Sequence, residues 1–385
     1  GLAMDTARGQ RRSPIHTAVK DAGARFAGMA GWERAVHFGG EAAHLPLSFG
    51  VPAWRDQVEA EVAACRTGAA IIDQSAFGKI MVQGPDACVF LNRICTAQID
   101  VPAGRIVYSQ ILNARGGIES DVTVQRHGDQ TYLMITGAGE VVRDLMHMRR
   151  EKGQMQVEIT DVTSGWAIIG LAGARAGEAL QKASAAPLLA PKPFGFVPVE
   201  VGLARGFVGR LSYTGQAGYE LYVPAEMAMA AHEALVAAGA SHAGLYASGS
   251  LRIEAGFRAW GHELTQGTTP HEAGLERFCA METDFIGKSA LQHHAPQRQI
   301  ATLLFDSPDA IPIHDEPIWF DSRVAGQITS AAWSYAHDRT AALAMLNAPI
   351  DRLRAGETVD GFEVEIACRR FRARAALAPL KDWKI

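Results

Sequence analysis

Two stretches of the chain repeat one local plan, and the repeat limits the fold more than any other feature. The first, AAIIDQSAFGKIMVQGPDACVFLNRI (residues 69–94), reads as strand, turn, strand, then Gly84-Pro85-Asp86 opening a helix. The second, WAIIGLAGARAGEALQKA (residues 166–183), follows the same course. In both, an apolar strand reaches V-Q-G-P-D-A or L-A-G-A-R-A and a helix follows. A duplicated unit of this kind predicts an α+β fold, with antiparallel sheets carrying helices on one face.

The flanking segments fill in that plan. Residues 14–38 begin with a short helical segment, and Trp32 and Phe38 flank a glycine-punctuated turn as aromatic core anchors. From Ala53 to Thr67, Val58, Val62 and Cys65 recur at i, i+4 and i+7 before a Gly68 stop, which predicts an amphipathic helix. TYLMI (131–135) is a buried-strand pattern, and the helix after it ends at Gly153. Residues 207–223 read as strand, turn, strand; helices follow over Ala225–Ala238, stopped by Gly239, and over Ser248–Phe257. Beyond about residue 297 come the short strands ATLLF, EPIWF, VAGQITS, AALAML, FEVEIA and RARAAL, an all-β domain.

Composition narrows the functional classes. A net charge of −4 at pH 7 and a pI near 6.4 exclude a nucleic-acid groove or an anionic membrane surface as the main partner. The five cysteines form no C-x-x-C pair, which fits free thiols in a reducing, cytoplasmic setting. No apolar run nears the roughly 18 residues of a membrane helix. The polar opening GLAMDTARGQRRS is not a secretory signal, and Met4 within it reads as a processing scar. Thr136-Gly137-Ala138-Gly139 mimics a dinucleotide turn, yet Val142 takes the third glycine's place and no acid follows at the right distance. His262-Glu263 and His293-His294 lack metal-ligand spacing, so no metal site is expected. Nucleophile-elbow, phosphate-loop and zinc-protease signatures are absent.

The chemistry centres on YSQILNARGGIESDVTV, Tyr108 to Val124. Apolar and β-branched residues bracket Gly116-Gly117, which predicts a β-hairpin with a tight turn there. Side chains alternate along a strand, so Glu119 and Asp121 share one face and Ser120 takes the other. The turn-borne residues Tyr108, Asp121, Tyr213, Glu220, Arg252 and Trp260 are the candidates for function.

Together with their surroundings these residues resemble the aminomethyltransferase (glycine-cleavage T-protein) family. The resemblance runs from about Ser13 to the C-terminus and rests on an ordered series of motifs: Ala30-Gly31-Trp32, YSQILNARGGIESD, YTGQAGYE, LRIEAG, W-G-H-E-L-T with Thr268–Leu275, DFIGKSAL and GQITS. It is nearest to the folate-binding C-terminal half of dimethylglycine and sarcosine dehydrogenases, through SPIHTAVKDAGARFAGMAGWER, SFGVPAWRDQVEAE and AAIIDQSAFGKI. No dinucleotide fingerprint opens this chain, so their flavin-binding half is expected to be separate.

The resemblance implies three domains around a channel for tetrahydrofolate: 13–76 with 161–285, 77–160, and a barrel-like 286–385. It implies Asp121 as the essential acid, Glu220 as the carboxylate that bonds the pterin, Tyr108, Tyr213, Phe77 and Trp260 as channel walls, and Arg252 as the arginine of the folate site. The implied activity is transfer of a one-carbon unit from a small methylated amine to tetrahydrofolate, with a flavoprotein partner supplying the oxidised carbon. Alternatives are direct demethylation of a sulfonium, betaine or methoxy compound, and a non-catalytic folate-binding accessory role. Three positions depart from the family pattern. Ser120 stands where an aspartate is usual, Ala97-Gln98 replaces an Asn-Asp pair, and Ala331 ends the T-S-G turn.

Overall fold

The computed structural model describes residues 7–40, 49–293 and 295–383. The opening residues with Met4, and His294, lie outside the described residues. After helix α1 (His16–Asp21), strands β1 (Ala24–Met29) and β2 (Trp32–Phe38) form a hairpin. Its two-residue turn, Ala30-Gly31, has positive φ at both positions, the geometry that matches strand twist. Trp32 and Phe38 therefore end one strand; they do not flank the turn, and Trp32 is buried against Ala76 and Ala138.

Helix α2 (Arg55–Thr67) leads to β3 (Ala70–Asp73), β4 (Gly78–Gln83) and α3 (Ala87–Ile94). Strands β5 (Ile106–Leu112), β6 (Ile118–Gly128) and β7 (Thr131–Thr136), helix α4 (Val141–Lys152) and β8 (Glu158–Asp161) complete an antiparallel sheet ordered β5-β6-β7-β4-β8. The second copy runs through β9 (Trp166–Ala172), α5 (Ala176–Ala183), β10 (Phe196–Val201), β11 (Ala204–Gly209), β12 (Gly218–Pro224), α6 (Ala228–Ala237) and β13 (Ser241–His242). Its sheet is ordered β10-β11-β12-β9-β3-β13, so the core order β5-β6-β7-β4 recurs as β10-β11-β12-β9. The duplication legible in the sequence is thus a duplicated sheet topology. Strand β10 carried no clear sequence signal because Pro198 interrupts it, and its place at the sheet edge is where proline is tolerated.

Two predicted boundaries move. The hairpin turn is five residues long, Asn113–Gly117, because Leu112 pairs with Ile118 after a register shift. The Asn113 carboxamide oxygen accepts from the Arg115 and Gly117 amides and builds the wider turn. Helix α7 spans Leu245–Glu254, three residues earlier than expected, and Gly256 at φ +70° ends it. Helix α8 (Pro270–Ala273) opens on a capping box between Thr269 and Glu272.

The C-terminal region closes as a six-stranded barrel over residues 299–376, filled by Leu303, Phe305, Ile328, Leu346, Phe362 and Val364. Helices α3 and α4 cover the outer face of the five-stranded sheet, and α1, α5 and α6 that of the six-stranded one. The inner faces meet through Leu133 and Ile135 on one side and Ile168, Phe207 and Tyr222 on the other. Among the described residues, no helix is long and apolar enough to cross a membrane, and no group of three or more His, Cys, Asp or Glu is arranged to hold a metal ion.

Candidate active site between the two sheets

Alternation along β6 decides which way its acids point. Ser120 turns outward and is buried, donating to Asp144 Oδ2 of α4 at 2.9 Å beside Thr136. Asp121 turns inward, opposite Gln110 of β5, and the Tyr108 hydroxyl stands 3.5 Å from its Oδ2. That separation is long for a strong hydrogen bond, so the carboxyl keeps capacity for a further partner. Burial, reinforced by the charges of Glu140 and Asp144, pushes the Asp121 carboxyl up to about 7. The same burial, with Asp121 adjacent, raises the Tyr108 hydroxyl well above its ordinary range.

Glu220 occupies the corresponding inner face of the other sheet. Its cross-strand neighbours are both glycines, Gly209 and Gly170, and the room over them is taken by Ile106 and Leu211 and by Gln74. The Tyr222 hydroxyl donates to Glu220 Oε2 at 2.5 Å, and Tyr222 stacks on Phe207 at 4.7 Å. Burial lifts the Glu220 carboxyl to about 7. Phe77, where the chain crosses from β3 to β4, packs on the apolar contact between the sheets, with the Arg34 guanidinium 5.8 Å from its ring.

Several buried polar atoms around this space have no hydrogen-bond partner in the protein: Gln110 Nε2, Gln125 Nε2, Gln74 Oε1 and Trp32 Nε1. Gln110 pairs with Asp121, and Gln125 with Leu133 of the inner contact, so both glutamines face inward. Gln74 Oε1 lies 2.6 Å from where a Cβ on Gly170 would stand, beside Glu220. Unpaired buried donors and acceptors cost about 1–3 kcal/mol each, and their concentration beside two raised carboxyls leaves hydrogen-bonding capacity that a polar ligand could use. The sequence reading missed all three glutamines. Gln110 and Gln125 lay within reach of the same alternation that picked out Asp121, whereas nothing local marks Gln74.

The remaining predicted residues sit at one end of this space. Tyr213 donates to the Arg258 carbonyl at 2.5 Å and stacks on Phe257. Trp260 donates to the Ile118 carbonyl at 3.3 Å, and the Arg143 guanidinium lies 3.9 Å over its ring. Tyr108 and Trp260 border one cluster with Leu112, Ile118 and Leu264. Arg252 is different. It is buried, pairs with Glu263 at 2.9 Å, and donates to the Phe257 carbonyl and to Ser330 of the barrel. Burial pushes Glu263 up, but Arg252 with Ser330 and Thr329 outweighs it and holds the carboxyl below its ordinary range. This guanidinium joins α7 to the barrel and does not touch Asp121 or Glu220.

Residues 15–283 match the GCVT N-terminal domain, and residues 298–382 match the glycine cleavage T-protein C-terminal barrel domain. The whole chain is 32% identical to 47% of a 4-methylaminobutanoate oxidase (formaldehyde-forming) of Paenarthrobacter nicotinovorans. It is 32% identical, over 91% of its length, to 42% of human mitochondrial dimethylglycine dehydrogenase. It therefore spans less than half the length of these two relatives. An aminomethyltransferase of Rubrobacter xylanophilus is 32% identical over 96% of this chain and 94% of its own length. The glycine cleavage system aminomethyltransferase T of Bartonella henselae shares the fold, with a TM-score of 0.82 at 22% identity over 96% of this chain and 98% of that one.

Proposed function

The chain belongs to the glycine-cleavage T-protein (aminomethyltransferase) family of folate-dependent one-carbon transferases, and on that premise we propose that it moves a one-carbon unit from a small N-methylated amine to tetrahydrofolate held between its two sheets. The observation that carries this reading is the presence of two inward carboxyls, Asp121 and Glu220, with the unpartnered amide atoms Gln74 Oε1, Gln110 Nε2 and Gln125 Nε2. A pterin presents a planar, guanidine-like edge of donors next to acceptors, and this set of groups fits it. A buried carboxylate such as Glu220 accepts two such donors at once, and the ring face suits the walls formed by Tyr108, Tyr213, Phe77 and Trp260.

When bound, tetrahydrofolate supplies the nitrogens that accept the carbon. The protein's part is electrostatic and protonic. Asp121, ionised above about pH 7, stabilises positive charge on the incoming carbon unit and takes or returns a proton at the accepting nitrogen. Tyr108 presents its hydroxyl to the Asp121 carboxyl at 3.5 Å. The aromatic walls exclude water and so protect a hydrolysable carbon unit. Arg252 is a positioning residue: through Glu263 and the Phe257 carbonyl it fixes the loop that carries Tyr213's partners and Trp260. We take the oxidised carbon to come from a flavoprotein, as a partner or as another part of a longer polypeptide.

Titration calorimetry with tetrahydrofolate, repeated on Glu220→Ala, tests this reading. Micromolar binding lost in the variant supports it, and absence of binding to the intact chain removes it. Incubation with a methylated amine and its oxidase then separates methylene from methyl product.

A further inference from the structure

The loop between β7 and α4 brings a second carboxyl beside Asp121. The antiparallel register of β6 and β7 pairs Val124 with Met134 and Thr123 with Ile135, and, continued past Thr123, it sets Gly137 opposite Asp121. Directly opposed residues share a face, with Cβ positions about 5 Å apart. Gly137 has no Cβ, and the Glu140 carboxylate fills the place of one: a Cβ built there would collide with Glu140 Oε2. Glu140 thus supplies the cross-strand neighbour that Gly137 lacks. Of the charges acting on Asp121, that of Glu140 is the largest.

The other neighbours of Asp121 are unsuited to carry a proton away from it. Gln110 of β5 does not titrate, and burial keeps the Tyr108 hydroxyl from ionising near neutral pH. Asp144 lies on the outer side of the sheet, engaged by Ser120, Thr136 and Arg143. Glu119 shares the face of Asp121, but its carboxylate accepts from the Gln266 amide at 2.6 Å, at the surface. Glu140 is half-buried and Gly139 beside it is exposed, so this carboxyl stands between Asp121 and solvent. The charges that face Glu140 are Arg34 of β2, Arg143 and Asp144 of α4, and Asp121 of β6. Burial raises its carboxyl above the ordinary range; Arg143 opposes the rise and Asp144 adds to it.

We infer that Glu140 is the proton relay of the site: it forms a carboxyl pair with Asp121 and passes to water the proton that Asp121 takes up. The inference rests on the transfer reading given above. When a nitrogen bonds to the carbon unit its N–H bond breaks, and Asp121 takes the proton. Asp121 hands it to Glu140, directly or over one water, and Glu140 releases it. The departing amine or oxygen draws its own proton from solvent, so charge balances and nothing is oxidised or reduced. Glu140 acts through Asp121 without touching substrate, which makes it a positioning residue for the proton.

The test compares the whole chain with Glu140→Gln, which removes the charge, and with Gly137→Ala, which keeps the acid but displaces its carboxylate. NMR titration of the side-chain carboxyl carbons reads the pair without any ligand. The Asp121 midpoint should fall by about half a pH unit or more in Glu140→Gln, and the Glu140 midpoint by a similar amount in Asp121→Asn, because linkage is reciprocal. Transfer is followed with formaldehyde as carbon source and tetrahydrofolate as acceptor, at several imidazole concentrations, with the uncatalysed condensation subtracted. The wild type should be insensitive to imidazole. Both Glu140→Gln and Gly137→Ala, with unchanged thermal unfolding, should lose roughly tenfold in kcat with little change in KM, and imidazole should restore most of it by carrying the proton instead. A loss of kcat without rescue assigns Glu140 a structural part and overturns the relay, as does an unaltered kcat in both variants or an Asp121 midpoint that does not move. A wild type whose two carboxyl titrations are linked but which transfers no carbon keeps the pair and refutes the transfer reading.

Discussion

Replacing Asp121 by asparagine should stabilise the protein at alkaline pH while destroying transfer. The folded carboxyl titrates at about 7 against an ordinary 3.8, because burial and neighbouring acids disfavour its charge. At about 1.4 kcal/mol per pH unit, that gap corresponds to ~4 kcal/mol. The sign follows from proton counting. Between pH 4 and 7 the folded chain keeps a proton that the unfolded chain has released, so wild-type stability from this group is intact below pH 4 and falls until about pH 7. Asparagine has no such dependence. The variant's advantage should be near zero at pH 4, about 1.5 kcal/mol at pH 5, and up to about 4 kcal/mol at pH 8. Urea midpoints at pH 5 and pH 8 read the difference, with hydrogen exchange of β6 amides isolating the module in a chain too large for simple two-state analysis. Transfer activity should fall by roughly 10²–10⁴-fold, the range of acid–base catalysis. Equal stability differences at the two pH values would show that the Asp121 carboxyl is not charged at a cost, and the electrostatic argument for its role would fail with it.

Other consequences follow from the same geometry. Transfer by the wild type should rise through about pH 7 as Asp121 ionises, and a flat profile from pH 6 to 8.5 would count against it. Glu220→Gln should weaken tetrahydrofolate at least tenfold, about 1.4 kcal/mol, with no loss of fold by circular dichroism. Arg252→Met leaves Glu263 buried without its cation and should destabilise the chain by about 3–5 kcal/mol; adding Glu263→Gln should recover part of the lost melting temperature. Gly117→Ala should destabilise the hairpin by roughly 1–3 kcal/mol, because its Cβ would stand 1.9 Å from the Gln266 carbonyl, and urea denaturation reads that cost.

Much of this was legible before any coordinates. The period-2 pattern of β6 placed Asp121 opposite in direction to Ser120, and the apolar faces of α2 and α4 ended at Gly68 and Gly153 as their sequences predict. The repeated strand–helix unit foretold two sheets of one topology, and the run of short strands after residue 297 foretold a β domain that closes as a barrel. These features are local: periodicity and turn chemistry act within about ten residues, so one segment carries all the information. What the tertiary structure alone decided was long-range. Gln74 reaches Gly170 of β9, the cross-strand neighbour of Glu220, from about 100 positions away, so no local pattern marks it. Arg252 is implied by its motif as the arginine of the folate site; in the structure its guanidinium bonds Glu263, the Phe257 carbonyl and Ser330, contacts that its own helix cannot reveal. The Asn113–Gly117 turn also docks against Gln266, a contact that its own residues do not announce. The protonation of Asp121 is the clearest case. The sequence supplies an aspartate with an ordinary pKa, and only the packed structure, in which burial removes water and α4 brings Glu140 and Asp144 near, makes it a group that titrates near neutrality.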